Sequence, residues 1–185
     1  MFGFSTGSYI FRKEGIRLDV APKNLKVEGA NTLELMFHKD MIGDLAFYEK
    51  VRNFDLSIYD EVSLHAPSIR YGEDPRTEAV IGLSDWGAFK GLENNILVEN
   101  MDASKEDGRS VAEMEAHFEK FDGQMVLDLQ HIYSIDGTMK RADDMLSAFG
   151  SKVKEIHISG YELANLETRY SKHVSLMNKG EEQKI

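Results

Sequence analysis

Six short apolar or β-branched runs recur along this chain, and each ends on a polar residue. The runs are MFGFST (1–6), NTLELMF (31–37), EVSLHAPS (61–68), NILVENMD (95–102), QMVLDLQHIY (124–133) and KEIHISGY (154–161). Their polar markers are Thr6, Glu34, His65, Glu99, Asp128 and His157, separated by steps of 28, 31, 34, 29 and 29 residues. Such a step is about the length of one strand-plus-helix unit, so the repeat is one of structure rather than of sequence. Strands that are apolar almost throughout suit a parallel sheet covered on both faces.

Helical patterns fill the gaps. KNLKVEGA stops at Gly29, and LAFYEKVRNF reads as a helix face. SVAEMEAHFEKFDG opens on Ser110 with Glu113 three residues later, the spacing of a capping box. DGTMKRADDMLSAFG again ends on a glycine. Alternating strands and helices imply parallel strands joined by helical crossovers. Polar groups at nearly every strand end favour closure into a barrel, where all those ends meet at one mouth. A doubly wound sheet would use mainly its switch point, and its glycine-rich phosphate loop is missing from the sequence.

The expected fold is therefore α/β: a TIM-type (β/α) barrel forming a single domain over residues 1–185. A complete barrel of this type has roughly eight strands and about 250 residues, so this one is expected to be abbreviated or incomplete. Six strands are clear, and Glu78–Leu83 leaves room for a seventh or for a helix. An open parallel sheet needs its edges covered, which makes a homo-oligomer one expected assembly.

Bulk properties narrow the function. The net charge is −10, and an acidic surface repels phosphate backbones, so nucleic acid is a disfavoured partner. No apolar run approaches the roughly 18 residues a membrane span needs. The opening MFGFSTGSYIFRKEG lacks a basic segment followed by an apolar one, so no signal peptide is expected. There are 0 cysteines, which fits a reducing compartment, and a cytoplasmic location is the expectation.

Glu99, Asp128 and His157 carry the chemistry. Each lies late in a buried-type strand (LVENMD, VLDLQH, EIHISG), where charged groups are seldom placed unless paired or metal-bound. Two carboxylates and an imidazole suit Mn²⁺, Zn²⁺, Mg²⁺ or Fe²⁺. The alternative for each is capping the next helix or pairing with a cation. His131, three residues after Asp128, could bind a second metal, orient substrate or act as acid/base. His65 could reach the same mouth, Glu34 points either into the barrel or toward a core Arg or Lys, and His173 could be a lid, second-metal or surface residue. Asp102 could brace a ligand or cap the following turn. His38 and His117 read as helix-surface residues, and Tyr133, Tyr161 and Trp86 as pocket or core aromatics.

A strand-end Glu, then Asp-x-x-His, then a His on the next strand resembles the xylose-isomerase-like TIM-barrel superfamily. The resemblance runs from GFSTG through SLHAPS, ENMD, DLQH and HISGY. That superfamily includes sugar isomerases and epimerases and the class-II apurinic endonucleases. The resemblance implies Glu99, Asp128 and His157 as metal ligands, with Glu99 also a base. It makes His131 and His65 substrate or second-metal residues; of these His131 is taken as a catalytic candidate, and His65, Glu34 and His173 stand as candidate substrate-binding residues. The implied activity is metal-dependent isomerisation or epimerisation of a sugar or sugar phosphate, by proton transfer next to a carbonyl. The superfamily's fourth ligand, a last-strand Glu, has no counterpart here. The endonuclease branch, a metal-dependent phosphodiesterase, departs further. It places a histidine where Ile81–Trp86 has none, and an aspartate where Ser171 precedes His173. A third reading is a non-catalytic barrel that binds metal or sugar.

Overall fold

A computed structural model of the chain describes residues 1, 3–5, 30–36, 46, 49, 52, 53, 55–65, 96–165 and 170–174. At residues 4, 161–165 and 170–174 it describes the backbone alone. Thr6, His38, Trp86 and the segment Glu78–Leu83 lie outside the described residues, as does most of the helix expected over LAFYEKVRNF. Contacts divide the chain into two compact units, Met1–Gly82 and Leu83–Ile185.

In the first unit, β1 (Gly3–Ser5), β2 (Thr32–Met36) and β3 (Glu61–His65) form a three-stranded parallel sheet in that order. Leu33 and Leu35 of β2 are buried, as alternation on a pleated strand requires. Glu34 stands between Ser5 and Ser63 in the ladder, and His65 opposite Met36.

The second unit holds another three-stranded parallel sheet, in the order β4 (Leu97–Glu99), β5 (Gln124–Asp128), β6 (Val153–His157). Helix α1 (Val111–Phe118) joins β4 to β5. Helices α2 (Leu129–Ile135) and α3 (Lys140–Phe149) join β5 to β6. An antiparallel pair follows, β7 (Gly160–Asn165) with β8 (Tyr170–Val174). The core of this unit is Met114 of α1, Met125 and Leu127 of β5, Ile132 of α2, and Ala142, Met145 and Phe149 of α3. Burying each large side chain among them contributes about 1.5–3 kcal/mol. The Phe118 and Phe149 rings meet tilted at 5.2 Å, closing the end of the core where α1 and α3 finish.

The expected TIM-type barrel, even in abbreviated form, is not what forms. The described strands make two separate three-stranded parallel sheets, and no ladder among the described residues completes a ring. Burial agrees. A ring wrapped in helices covers both faces of every strand, yet Leu64 on β3 and Ile156 on β6 are 68% and 52% exposed. Among the strands whose side-chain burial is described, only β5, the middle strand of its sheet, is buried along nearly its whole length. The last segment also departs from the βα repeat. A two-stranded antiparallel ribbon follows β6, and it places His173 in backbone register with Tyr161. No helix among the described residues is long and apolar enough to cross a membrane.

The expected capping box is present. Ser110 Oγ accepts the Glu113 N–H at 3.3 Å, and Glu113 Oε2 accepts the Ser110 N–H at 3.0 Å. Burial acts to raise the Glu113 carboxyl. Hydrogen bonds from the Arg109 backbone and guanidinium and from the Ser110 backbone outweigh it, and hold the group below the ordinary glutamate range. A carboxyl depressed in the folded state stabilises fully above its unfolded pKa and loses that contribution as pH falls through the folded one. Ser110→Ala should cost about 1 kcal/mol in urea unfolding at neutral pH. The deficit of Glu113→Gln should narrow as pH drops below the ordinary glutamate range; a deficit independent of pH would contradict this account of the cap.

Candidate functional site

The C-terminal edge of the second sheet gathers four of the chain's polar candidates. Along a strand, side chains two residues apart share a face. Glu99 stands opposite Val126, two residues before Asp128, so both carboxylates rise from one face. Asp128 stands opposite His157. That pairing depends on a break in register between Met125 and Val126: Met125 pairs with Val153, but Val126 pairs with Glu155. Without the extra residue on β6, Asp128 would stand beside Ile156. Irregularities of this kind are enriched next to functional sites because they re-aim a side chain.

His157 Nδ1 lies 3.1 Å from Glu99 Oε1 and 3.8 Å from Asp128 Oδ2, and its Nε2 lies 3.5 Å from Glu155 Oε2. One imidazole thus touches three carboxylates from three neighbouring positions of the sheet. Asp128 is 1% exposed, and an ionised carboxylate at such depth needs a partner cation or strong donors.

Asp128 is also the N-cap of α2, its Oδ1 accepting the His131 N–H at 2.8 Å. The first turn of α2 therefore hangs the His131 ring over the same edge. His131 Nδ1 lies 2.7 Å from the Asn100 carbonyl oxygen. A carbonyl only accepts, so Nδ1 is the donor in this contact. One ligand atom each from Glu99, Asp128 and His131 lie within 4.8 Å of one another. Ligand atoms bonded at about 2.0–2.2 Å to one ion are themselves about 3–4 Å apart, so modest side-chain adjustment would let these three share a cation. The donor set, two carboxylate oxygens and one imidazole nitrogen, suits a divalent ion of hard to borderline character.

The other sequence candidates lie on other elements. Glu34 and His65 belong to the first unit, on β2 and β3, and His173 lies on β8. Of the two roles open to Asp102, the hydrogen bonds support turn capping: its Oδ1 accepts the Ser104 N–H at 2.9 Å and the Ser104 hydroxyl. His117, on α1, pairs with Asp107 at 3.1 Å. Sequence reasoning missed the part played by Asn100. Its one signal was position, an amide directly after Glu99 in ENMD, and nothing local says that it reaches across to the next strand.

Comparison with protein-family models, with curated proteins and with solved structures finds no match.

Proposed function

We propose that the chain binds one divalent cation through Glu99, Asp128 and His131. We further propose that it catalyses proton transfer beside the carbonyl of a small hydroxy-carbonyl compound, of the sugar or sugar-phosphate class. The observation that carries the reading is the convergence of one ligand atom each from Glu99, Asp128 and His131 to within 4.8 Å of one another at one sheet edge. A bound cation would supply polarisation of the substrate carbonyl, which acidifies the neighbouring C–H. Glu99 and His157, hydrogen-bonded at 3.1 Å, are the pair that would take up and return the proton. This exchanges the roles that the resemblance implied for the two histidines, because His131 has its tautomer fixed from behind and His157 already contacts the carboxylates. The sugar class rests on the motif resemblance, and the cation on the donor set.

The test is isotope exchange. Protein loaded with Mn²⁺ and incubated with a panel of ketoses and ketose phosphates in D₂O should introduce deuterium at the carbon next to the carbonyl. His157→Gln should retain Mn²⁺ and lose exchange by about 10²-fold or more, the scale of a lost acid–base group. Absence of exchange across the panel from fully loaded protein would remove the catalytic reading.

A further inference from the structure

Asn100 makes contacts that none of the proposed chemistry has used. It is 1% exposed, and both ends of its side chain are spent on one neighbour: Oδ1 accepts the Asp128 N–H at 2.7 Å, and Nδ2 donates to the Asp128 carbonyl at 3.0 Å. An amide that brackets a single residue in this way acts as an extra rung between β4 and β5, beyond the point where β4 ends at Glu99. The backbone N–H of Asn100 also reaches Val126 O, at 3.4 Å. Its own carbonyl receives His131 Nδ1–H at 2.7 Å. Asn100 therefore touches, through three different groups, the strand before Asp128, both polar backbone atoms of Asp128, and the ring of His131.

Two consequences follow from that geometry. The side-chain rung fixes the height of Asp128 relative to Glu99, two residues apart in register. The carbonyl fixes which nitrogen of His131 bears the proton. Ligating histidines characteristically donate their second nitrogen to a carbonyl or carboxylate, which sets both ring orientation and tautomer, and loss of such a partner typically costs 10–100-fold in metal affinity. The side chain and the carbonyl belong to one residue, so the spacing of the carboxylates and the aim of the imidazole are set together.

We infer that Asn100 is a positioning residue: it registers Asp128 against Glu99 and selects the Nδ1–H tautomer of His131, which leaves Nε2 as the nitrogen that would bind a cation. It touches neither substrate nor ion. The inference rests on the cation reading for its purpose, but its tautomer claim stands apart from that reading and is tested apart from it.

The first measurement uses the unaltered, metal-free protein. Long-range ¹⁵N–¹H correlation of the imidazole rings should show His131 with a protonated Nδ1 and an unprotonated Nε2. The reverse tautomer would overturn the inference whether or not the protein binds any metal. The second is calorimetric titration with Zn²⁺ alone. Asn100→Ala removes the rung to Asp128 and should weaken Zn²⁺ binding by about 10–100-fold, while His131, whose partner is the backbone carbonyl at position 100, keeps its Nδ1–H tautomer. Met145→Ala, a core truncation on α3, should reduce stability and leave Zn²⁺ affinity and the tautomer unchanged. Equal Zn²⁺ affinity in Asn100→Ala and the unaltered chain would overturn the inference while leaving the cation site standing. Failure of the unaltered chain to bind Zn²⁺ would instead strike the proposed function. Should Asn100→Ala fail to fold, Asn100→Asp supplies the titration. It keeps the size of the side chain but replaces the donor to Asp128 O with an acceptor, and the same loss of affinity is expected.

Discussion

Asp128→Ala is expected to abolish divalent-cation binding and to lower the unfolding free energy by about 1–2 kcal/mol. The stability loss comes from the N-cap of α2, where Oδ1 accepts the His131 N–H at 2.8 Å, and cap deletions cost of this order. The binding loss comes from removing one of two carboxylates at the site. Asp128→Asn separates the two effects. Asparagine caps helices as well as aspartate does, so stability should stay within about 1 kcal/mol of the unaltered chain. The negative charge is gone, however, so Mn²⁺ binding should still be lost. Urea unfolding and Mn²⁺ titration on the two variants give both readouts. An Asn variant that binds Mn²⁺ as tightly as the parent would mean that Asp128 is only a cap.

The largest loss of stability away from the site is expected from Met145→Ala, at about 2–5 kcal/mol. Met145 is 1% exposed on α3 and belongs to the cluster with Met114, Met125, Leu127 and Phe149. That cluster holds α1 and α3 on the sheet that carries Glu99, Asp128 and His157. Truncating it leaves a cavity that neighbours on three elements fill only in part. The midpoint of urea unfolding should fall with an unchanged slope, and Mn²⁺ affinity should be retained under conditions where the variant is folded. A loss below about 1 kcal/mol would show that this core is not what stabilises the unit.

Local patterns in this sequence read through to local structure. The apolar runs coincide with β1 to β6, the Ser110–Glu113 spacing with a capping box, and strand order within each sheet with the parallel crossovers the alternation implied. The run QMVLDLQHIY was too long for its strand. Asp128 ends β5 and caps a helix within it, a change of period that apolar content alone conceals. Barrel closure was not legible, because it requires pairing between strands far apart in sequence and a regular step says nothing of which edges meet. The β7–β8 ribbon was overlooked although YELAN and YSKHV each have the short, alternating character of a strand. At the site, the polar marker at each strand end located Glu99, Asp128 and His157, but equal steps of 29 residues do not encode their relative heights. The ladder puts Glu99 two residues behind, and a break in register on β6 brings His157 rather than Ile156 beside Asp128. Asn100 and the tautomer of His131 depend on contacts 28 and 31 residues apart in sequence, which no local pattern encodes.

Anomalous diffraction from crystals grown with Zn²⁺ bears on the cation site with the fewest intermediate assumptions. A peak about 2.0–2.2 Å from a carboxylate oxygen of Glu99, one of Asp128 and Nε2 of His131 is the expected result. A zinc-saturated crystal with its ions only at other residues, or with no peak at this sheet edge, would contradict it.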